Sequence, residues 1–118
     1  MLRYRNEVMC YTPQILSEFW NVCSRPLNAR GGLGLSVDET DRKVSLIEKH
    51  FRLLPDNLNT FQKWRKIVKD IGVIGVQVYD AKLVASMNVY GISNLLTLNA
   101  KDFKRFSNIK AIKPKDIT

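Results

Sequence analysis

The chain has 118 residues, 45% hydrophobic and 25% charged, so it is long enough for one hydrophobic core and too apolar for a disordered segment. No apolar run reaches the roughly 20 residues of a membrane-spanning helix, and the N-terminal stretch has no signal-peptide core. The net charge of +8 favours an anionic partner such as nucleic acid, although a basic surface can also serve solubility alone. Cys10 and Cys23 form no C-x-x-C pair, so we expect a reduced, cytoplasmic compartment.

The first half of the chain alternates short β-rich runs with amphipathic segments. Pro13 is typical of a helix start, and the pair Ser36 and Glu39 forms an S-x-x-E capping box. In chain order we predict a strand at 7–12, a helix at 13–24, a loop at 25–36, a helix from the capping box to about Lys49, and a strand at 50–54.

The second half continues the alternation. It predicts a helix from Asn57 or Asn59 to about Asp70, a helix over 76–91, a strand at 94–98, a short helix at 99–106, and a strand or edge extension at 109–114. The buried residues of the two longer helices are predicted to be Phe61, Trp64, Ile67 and Val68, then Leu83, Val84, Met87 and Tyr90.

Strands separated by helical segments predict a single α/β domain over 1–118, in which helices flank a small, mostly parallel sheet. In such sheets ligands bind beyond the carboxyl ends of the strands. Acidic residues that follow strands, or that begin the next helix, are therefore the candidates for a functional site.

Three carboxylates meet this description. Glu18 lies on the helix after the first strand and borders its apolar face, Asp80 falls on the apolar stripe of the 76–91 helix, and Asp102 follows the 94–98 strand. If they converge, their charges repel unless a cation lies among them. Oxygen ligands favour Mg²⁺ or Mn²⁺, whereas one histidine and two scattered cysteines are too few for a zinc site.

Each carboxylate also has a purely structural interpretation. Asp80 near a helix N-terminus is stabilised by the helix dipole without any metal. Asn99 and Asp102 have the spacing of an N-cap and its N3 partner, and Glu18 can be a surface carboxylate. Each interpretation is reasonable alone, but all three must hold at once to remove the acidic site.

Two blocks of sequence, TPQILSEFWNVCSRP and VQVYDAKLVASMNVYGISNLLTLNAKDFKRF, resemble the PIN domain in the branch of the VapC-type toxin ribonucleases. The resemblance covers nearly the whole chain. It implies a PIN-like three-layer α/β fold and a Mg²⁺- or Mn²⁺-dependent endoribonuclease. It also implies RNA as substrate, a cognate antitoxin protein as partner, association as a homodimer and no membrane.

Carried over residue by residue, the resemblance implies that Glu18, Asp80 and Asp102 are the catalytic and metal-binding carboxylates. Thr97 and Asn99 are supporting residues, and Asn99 stands where other members often have a further aspartate. Basic residues near these positions are candidates for weak contacts to the RNA backbone: Lys82, Lys104 and Arg105.

The sequence departs from the family at its beginning. PIN domains open with a central strand that carries a metal-binding aspartate, and nothing in the opening LRYRNEVMCYTPQ matches it. We therefore expect an N-terminally truncated PIN-like domain with weak Mg²⁺ binding and feeble cleavage. The alternatives are a catalytically incompetent PIN remnant that binds RNA or a protein partner, and a basic α/β interaction module whose acidic residues are helix caps.

Overall fold

The computed structural model describes residues 3–4, 7–97 and 99–112. It is a mixed α/β fold with small parallel sheets, as the sequence predicts, and it is consistent with a PIN-like architecture. The chain divides into two compact units, Met1–Pro55 (unit 1) and Asp56–Thr118 (unit 2), which are described separately. In the described residues, no helix is long and apolar enough to cross a membrane.

Unit 1 contains two strand pairs and two helices. Strands β1 (Arg3–Tyr4) and β2 (Glu7–Val8) pair antiparallel, whereas β3 (Cys10–Tyr11) and β4 (Arg52–Leu53) pair parallel, with Tyr11 opposite Leu53. The predicted strand at 7–12 is therefore present as two short strands, and the predicted strand at 50–54 is confirmed. Helices α1 (Pro13–Ser24) and α2 (Val37–His50) lie between β3 and β4 in the chain.

The caps of α1 and α2 explain where these helices begin. Thr12 accepts a hydrogen bond from the Ile15 amide (3.2 Å) ahead of Pro13. Ser36 and Glu39 form the predicted capping box, in which each side chain accepts from the other residue's amide (3.1 and 3.2 Å). The bond from the Ser36 backbone is the largest of the causes that lower the pKa of Glu39, because it stabilises the charged carboxylate.

Unit 2 contains helices α3 (Leu58–Ile71) and α4 (Gln77–Val89), then strands β5 (Asn94–Leu96) and β6 (Lys110–Ile112). The two strands pair in parallel, and a 3₁₀ helix, Ala100–Phe103, lies between them in the chain. This short helix replaces the predicted helix at 99–106. Leu98, Lys113 and Pro114 of the predicted strands lie outside the described residues. Both helices, the 3₁₀ segment and its following turn contribute to one core: Ile67, Val73, Ala81, Val84, Ala85, Phe103 and Phe106.

Helix α3 is bounded as the sequence predicts, but its buried face is narrower. Asn57 accepts from the Thr60 amide at the N-terminus, and Gly72 ends the helix in the left-handed region with φ 75°. Ile67 is buried as predicted, whereas Phe61 is 58% exposed. The prediction for Phe61 is wrong because the buried face runs from Thr60 to Ile67, and Phe61 lies about 100° round the helix from Thr60.

Helix α4 is buried more widely than one stripe. Val84 and Met87 are buried as predicted, whereas Leu83 and Tyr90 are only partly buried. The four consecutive residues from Val84 to Met87 all lie below 4% exposure, and four successive residues cover the full circumference of a helix. The middle of α4 is therefore buried around its whole circumference rather than on one face.

Candidate acidic site

Asp80 lies in the first turn of α4 and is partly buried. Ala81, the next residue, is fully buried, so the backbone at this point is fixed in the core of unit 2. Within the described chain, α4 begins after Val76 without a capping hydrogen bond from a side chain, since valine carries no acceptor. A negative charge in the first turn complements the positive end of the helix dipole.

Asp102 lies in the 3₁₀ helix that follows β5 and is partly buried beside the buried Phe103. Backbone and side-chain bonds fix the turn that precedes it. The Thr97 amide donates to the Ile112 carbonyl (2.9 Å), the Asn99 amide donates to Thr97 Oγ1 (3.1 Å), and the Asp102 amide donates to the Asn99 carbonyl (3.0 Å). The position of Asp102 is therefore tied to the β5–β6 pair.

Asn99 does not act as the helix cap that one interpretation expected. In the described part of the chain, its side chain makes no capping hydrogen bond, and its own backbone conformation is neither extended nor helical (φ −114°, ψ 53°). Thr97 supplies the turn's side-chain acceptor instead. The amide side chain of Asn99 is exposed at the start of the turn that carries Asp102.

Glu18 belongs to unit 1. It is exposed on α1, and its Oε1 accepts a hydrogen bond from Gln14 Nε2 (3.0 Å), one turn earlier. Its neighbours Ile15 and Phe19 are partly buried, so the residue follows the edge of the apolar face but points to solvent. The convergence of Glu18 with Asp80 and Asp102 stays a prediction.

The donor set fits a hard cation in its chemistry. Glu18, Asp80 and Asp102 offer only carboxylate oxygens, the ligands that Mg²⁺ and Mn²⁺ take in proteins. Across residues 3–4, 7–97 and 99–112, no three His, Cys, Asp or Glu side chains are grouped so that they could hold a metal ion. The described geometry thus supplies the oxygen donors without gathering three of them.

The three basic residues predicted to contact the RNA backbone all lie in unit 2. Arg105 donates from Nη1 to Oε1 of Gln77, which ties the turn after the 3₁₀ helix to the first residue of α4. Lys82 Nζ lies 3.8 Å from Asp56 Oδ2, with both side chains more than 40% exposed. Lys104 is exposed.

A pocket of about 370 Å³ lies beside the first turns of α4 and was not predicted from the sequence. Phe61 and Trp64 were predicted to be buried; Trp64 does pack against the core of unit 2, and both side chains also line this pocket. The signal available in the sequence was the aromatic pair Phe61 and Trp64 followed by Tyr79-x-x-Lys82. The lining residues come from the α3 cap, α3 and α4: Asp56, Asn57, Thr60, Phe61, Trp64, Val78, Tyr79 and Lys82.

A second, more open pocket of about 770 Å³ lies in unit 1 beside α1 and α2. Its walls are mainly apolar, and they include Leu16 and Trp20 from α1 and Val44 from α2. Glu48 adds a carboxylate to the lining.

No protein-family model matches the chain, and no curated protein matches it. The fold nevertheless has a counterpart among solved structures. A chain in the crystal structure of VapBC2 from Rickettsia felis, bound to a DNA fragment from its promoter, matches with a TM-score of 0.66 and 15% sequence identity. The match covers 93% of this chain and 77% of that chain. At this identity the similarity establishes the fold alone.

Proposed function

We propose that this protein is a metal-dependent endoribonuclease of the PIN-domain toxin type, which hydrolyses phosphodiester bonds in RNA. The observation that carries the proposal is the fold shared with a VapBC2 chain over 93% of the present chain. Two further features support it. Asp80 and Asp102 are partly buried carboxylates at a helix start and after a strand, and the net charge of +8 suits a polyanionic substrate.

In this proposal Glu18, Asp80 and Asp102 hold Mg²⁺ or Mn²⁺. The metal, when bound, supplies an activated water for attack on phosphorus and neutralises charge on the phosphate. The first turn of α4 holds the Asp80 carboxylate at the positive end of the helix dipole. The Thr97–Asn99 turn fixes the backbone of Asp102, and the exposed Asn99 amide is available to orient a water.

The basic residues have the role of holding the RNA backbone. Lys104 and Arg105 follow the 3₁₀ helix that carries Asp102, and Lys82 lies two residues beyond Asp80. Since Arg105 is bonded to Gln77, its guanidinium is kept near the N-terminus of α4. Positive charges at these positions would attract phosphates toward the carboxylates.

The proposal also includes a protein partner. The fold neighbour was solved as a VapBC2 complex, so we propose a cognate antitoxin for this chain and association as a homodimer. The apolar pocket of unit 1, which Trp20 and Val44 line, supports a protein–protein contact.

The test is an RNA cleavage assay with Mg²⁺ or Mn²⁺, with and without EDTA. We predict that Asp80→Asn abolishes EDTA-sensitive cleavage, because the substitution removes one charge from the metal-binding carboxylates. Asp41→Asn is the matched control, since Asp41 is an exposed carboxylate on α2, and we expect it to cut like the unmodified chain.

The other outcomes are distinct. Cleavage that survives both EDTA and Asp80→Asn contradicts the metal mechanism. RNA binding without cleavage at any metal concentration supports the alternative, a catalytically incompetent PIN remnant that binds RNA or a protein partner. Loss of activity in Asp41→Asn as well as in Asp80→Asn shows that the effect is not specific to the proposed site.

A further inference from the structure

We propose that the pocket of unit 2 binds one unpaired nucleobase of single-stranded RNA by stacking it on aromatic side chains, with Lys82 at the adjoining phosphate. We call it the base pocket; its lining residues are those of the 370 Å³ pocket described above. This inference deepens the proposed function and rests on it for the choice of RNA. The pocket lies within the usual size range of ligand sites, roughly 300–1,000 Å³.

Two aromatic side chains in the lining of the base pocket are largely exposed to solvent. Phe61 is 58% exposed and Tyr79 is 56% exposed, and both line the base pocket on neighbouring helices. Large exposed aromatic side chains that share a concave surface are typical of ligand or partner sites. Aromatic faces stack on any base, because every base has a π-face.

Trp64 gives the base pocket a fixed wall. Its Nε1 donates to the Val78 carbonyl (2.8 Å), which bonds the indole of α3 to the first turn of α4. The rings of Phe61 and Trp64 have centroids 6.0 Å apart and planes tilted by 41°. Because the hydrogen bond already fixes the indole ring, the ring loses little conformational freedom when a ligand stacks against it. The pocket is therefore preorganised for a planar ligand.

The polar groups of the base pocket favour stacking over reading of base edges. The Asn57 side chain is already engaged, because Oδ1 accepts from the Thr60 amide (3.0 Å) and Nδ2 donates to the Tyr90 hydroxyl (3.4 Å). Lys82 and Asp56 form a long, exposed ion pair, and such pairs contribute little stability. A phosphate can therefore replace Asp56 beside the Lys82 ammonium at small cost.

Tyr79 and Lys82 line the base pocket from α4, and Val78 joins them on the same side of the helix. Asp80 belongs to the same turn but is not part of the lining, because it lies about 100° round the helix from Tyr79 and about 160° from Lys82. The base pocket therefore holds the strand on its own side of α4, and the binding would tolerate different bases.

The test compares two single-stranded probes of about ten nucleotides. One is an oligouridylate and the other an abasic strand with the same ribose-phosphate backbone. Binding is measured by fluorescence anisotropy in EDTA, where metal-dependent cleavage does not occur. We expect the abasic strand to bind about tenfold more weakly, and Phe61→Leu to remove this difference, because leucine keeps the apolar volume but has no aromatic face.

Matched variants separate stacking from folding and from charge. Phe61→Trp should keep the preference for the strand with bases, and Leu58→Ala, an exposed apolar residue of α3 outside the lining, should leave it unchanged. Lys82→Gln should weaken both probes and lower the salt dependence by about one charge. Asp56→Asn should strengthen both probes, because it removes a negative charge beside Lys82.

Equal binding of the two probes, or an unchanged preference in Phe61→Leu, overturns the base pocket. If Phe61→Leu and Phe61→Trp both bind an apolar peptide more tightly than RNA, the pocket is a site for a protein partner. That result also overturns the base pocket. The result is independent of the cleavage assay: binding with bases but no cleavage contradicts the proposed function alone, whereas cleavage without a base preference contradicts the base pocket alone.

Discussion

Asp80 is compatible with its partly buried position because it lies in the first turn of its helix. The first turn of α4 presents backbone amides and the positive end of the helix dipole to a carboxylate. A hard cation at the same place would compensate the remaining charge. The dipole alone makes Asp80 tolerable, so its position by itself does not require a metal.

The two asparagines at helix starts allow a residue-scale prediction. Asn57→Ala should lower the free energy of unfolding by about 1 kcal/mol, because Asn57 caps α3 and bonds the Thr60 amide. Asn99→Ala should change it by less than about 0.5 kcal/mol, because the Asn99 side chain is exposed and forms no cap in the described chain. Denaturant unfolding of both variants measures the difference, and equal losses would contradict these assignments.

Helix starts were predictable from the sequence because their signals are local. Ser36 with Glu39 and Asn57 all act within three residues, and the structure realises both caps. The burial of Phe61 was not predictable in this way, because it depends on which neighbouring element covers the side of α3. The same holds for α4, where four consecutive residues are buried and a one-sided apolar stripe does not predict this.

The convergence of the three acidic residues stays a prediction, because it depends on more than local sequence. Asp102 could be placed after a strand from sequence, and the structure has it there, in a turn fixed by Thr97. The distance between residues on different elements depends on tertiary packing that no local pattern encodes. Glu18 shows this limit, since its position at the edge of an apolar helix face left its exposure undetermined.

Two isoleucines of unit 2, one buried and one exposed, test whether α3 and α4 pack as described. Ile67→Ala should cost about 3 kcal/mol in the free energy of unfolding, because Ile67 is 8% exposed within the core of unit 2. Ile74→Ala removes the same atoms from a side chain that is 80% exposed, and should cost less than about 0.5 kcal/mol. Comparable losses in the two variants would show that α3 and α4 do not pack as described.

The capping box of α2 predicts a pH dependence. The pKa of Glu39 is lower in the folded chain than in the unfolded chain, so the unfolded state binds the proton first as the pH falls. The stability that Glu39 contributes is present above the unfolded pKa and is lost as the pH falls through the folded pKa. Glu39→Gln keeps an acceptor for the Ser36 amide but does not titrate. Its stability should therefore fall less steeply in acid, and an unchanged slope would contradict this role.

At the scale of the whole molecule, the chain combines a strongly basic composition with carboxylates in both units. Glu18 belongs to unit 1, whereas Asp80 and Asp102 belong to unit 2. A ligand that binds only the folded state stabilises that state by mass action. The proposed function requires one cation to bind all three carboxylates at once.

Paramagnetic Mn²⁺ tests the claim most directly. When Mn²⁺ is added in small amounts to isotopically labelled protein, the amide signals of Glu18, Asp80 and Asp102 should broaden together and recover with EDTA. The exposed carboxylates Asp41 and Asp70 should keep sharp signals at the same Mn²⁺ concentration. Broadening near Asp80 and Asp102 without Glu18, or equal broadening at all five acidic residues, would contradict a single metal site shared by the three carboxylates.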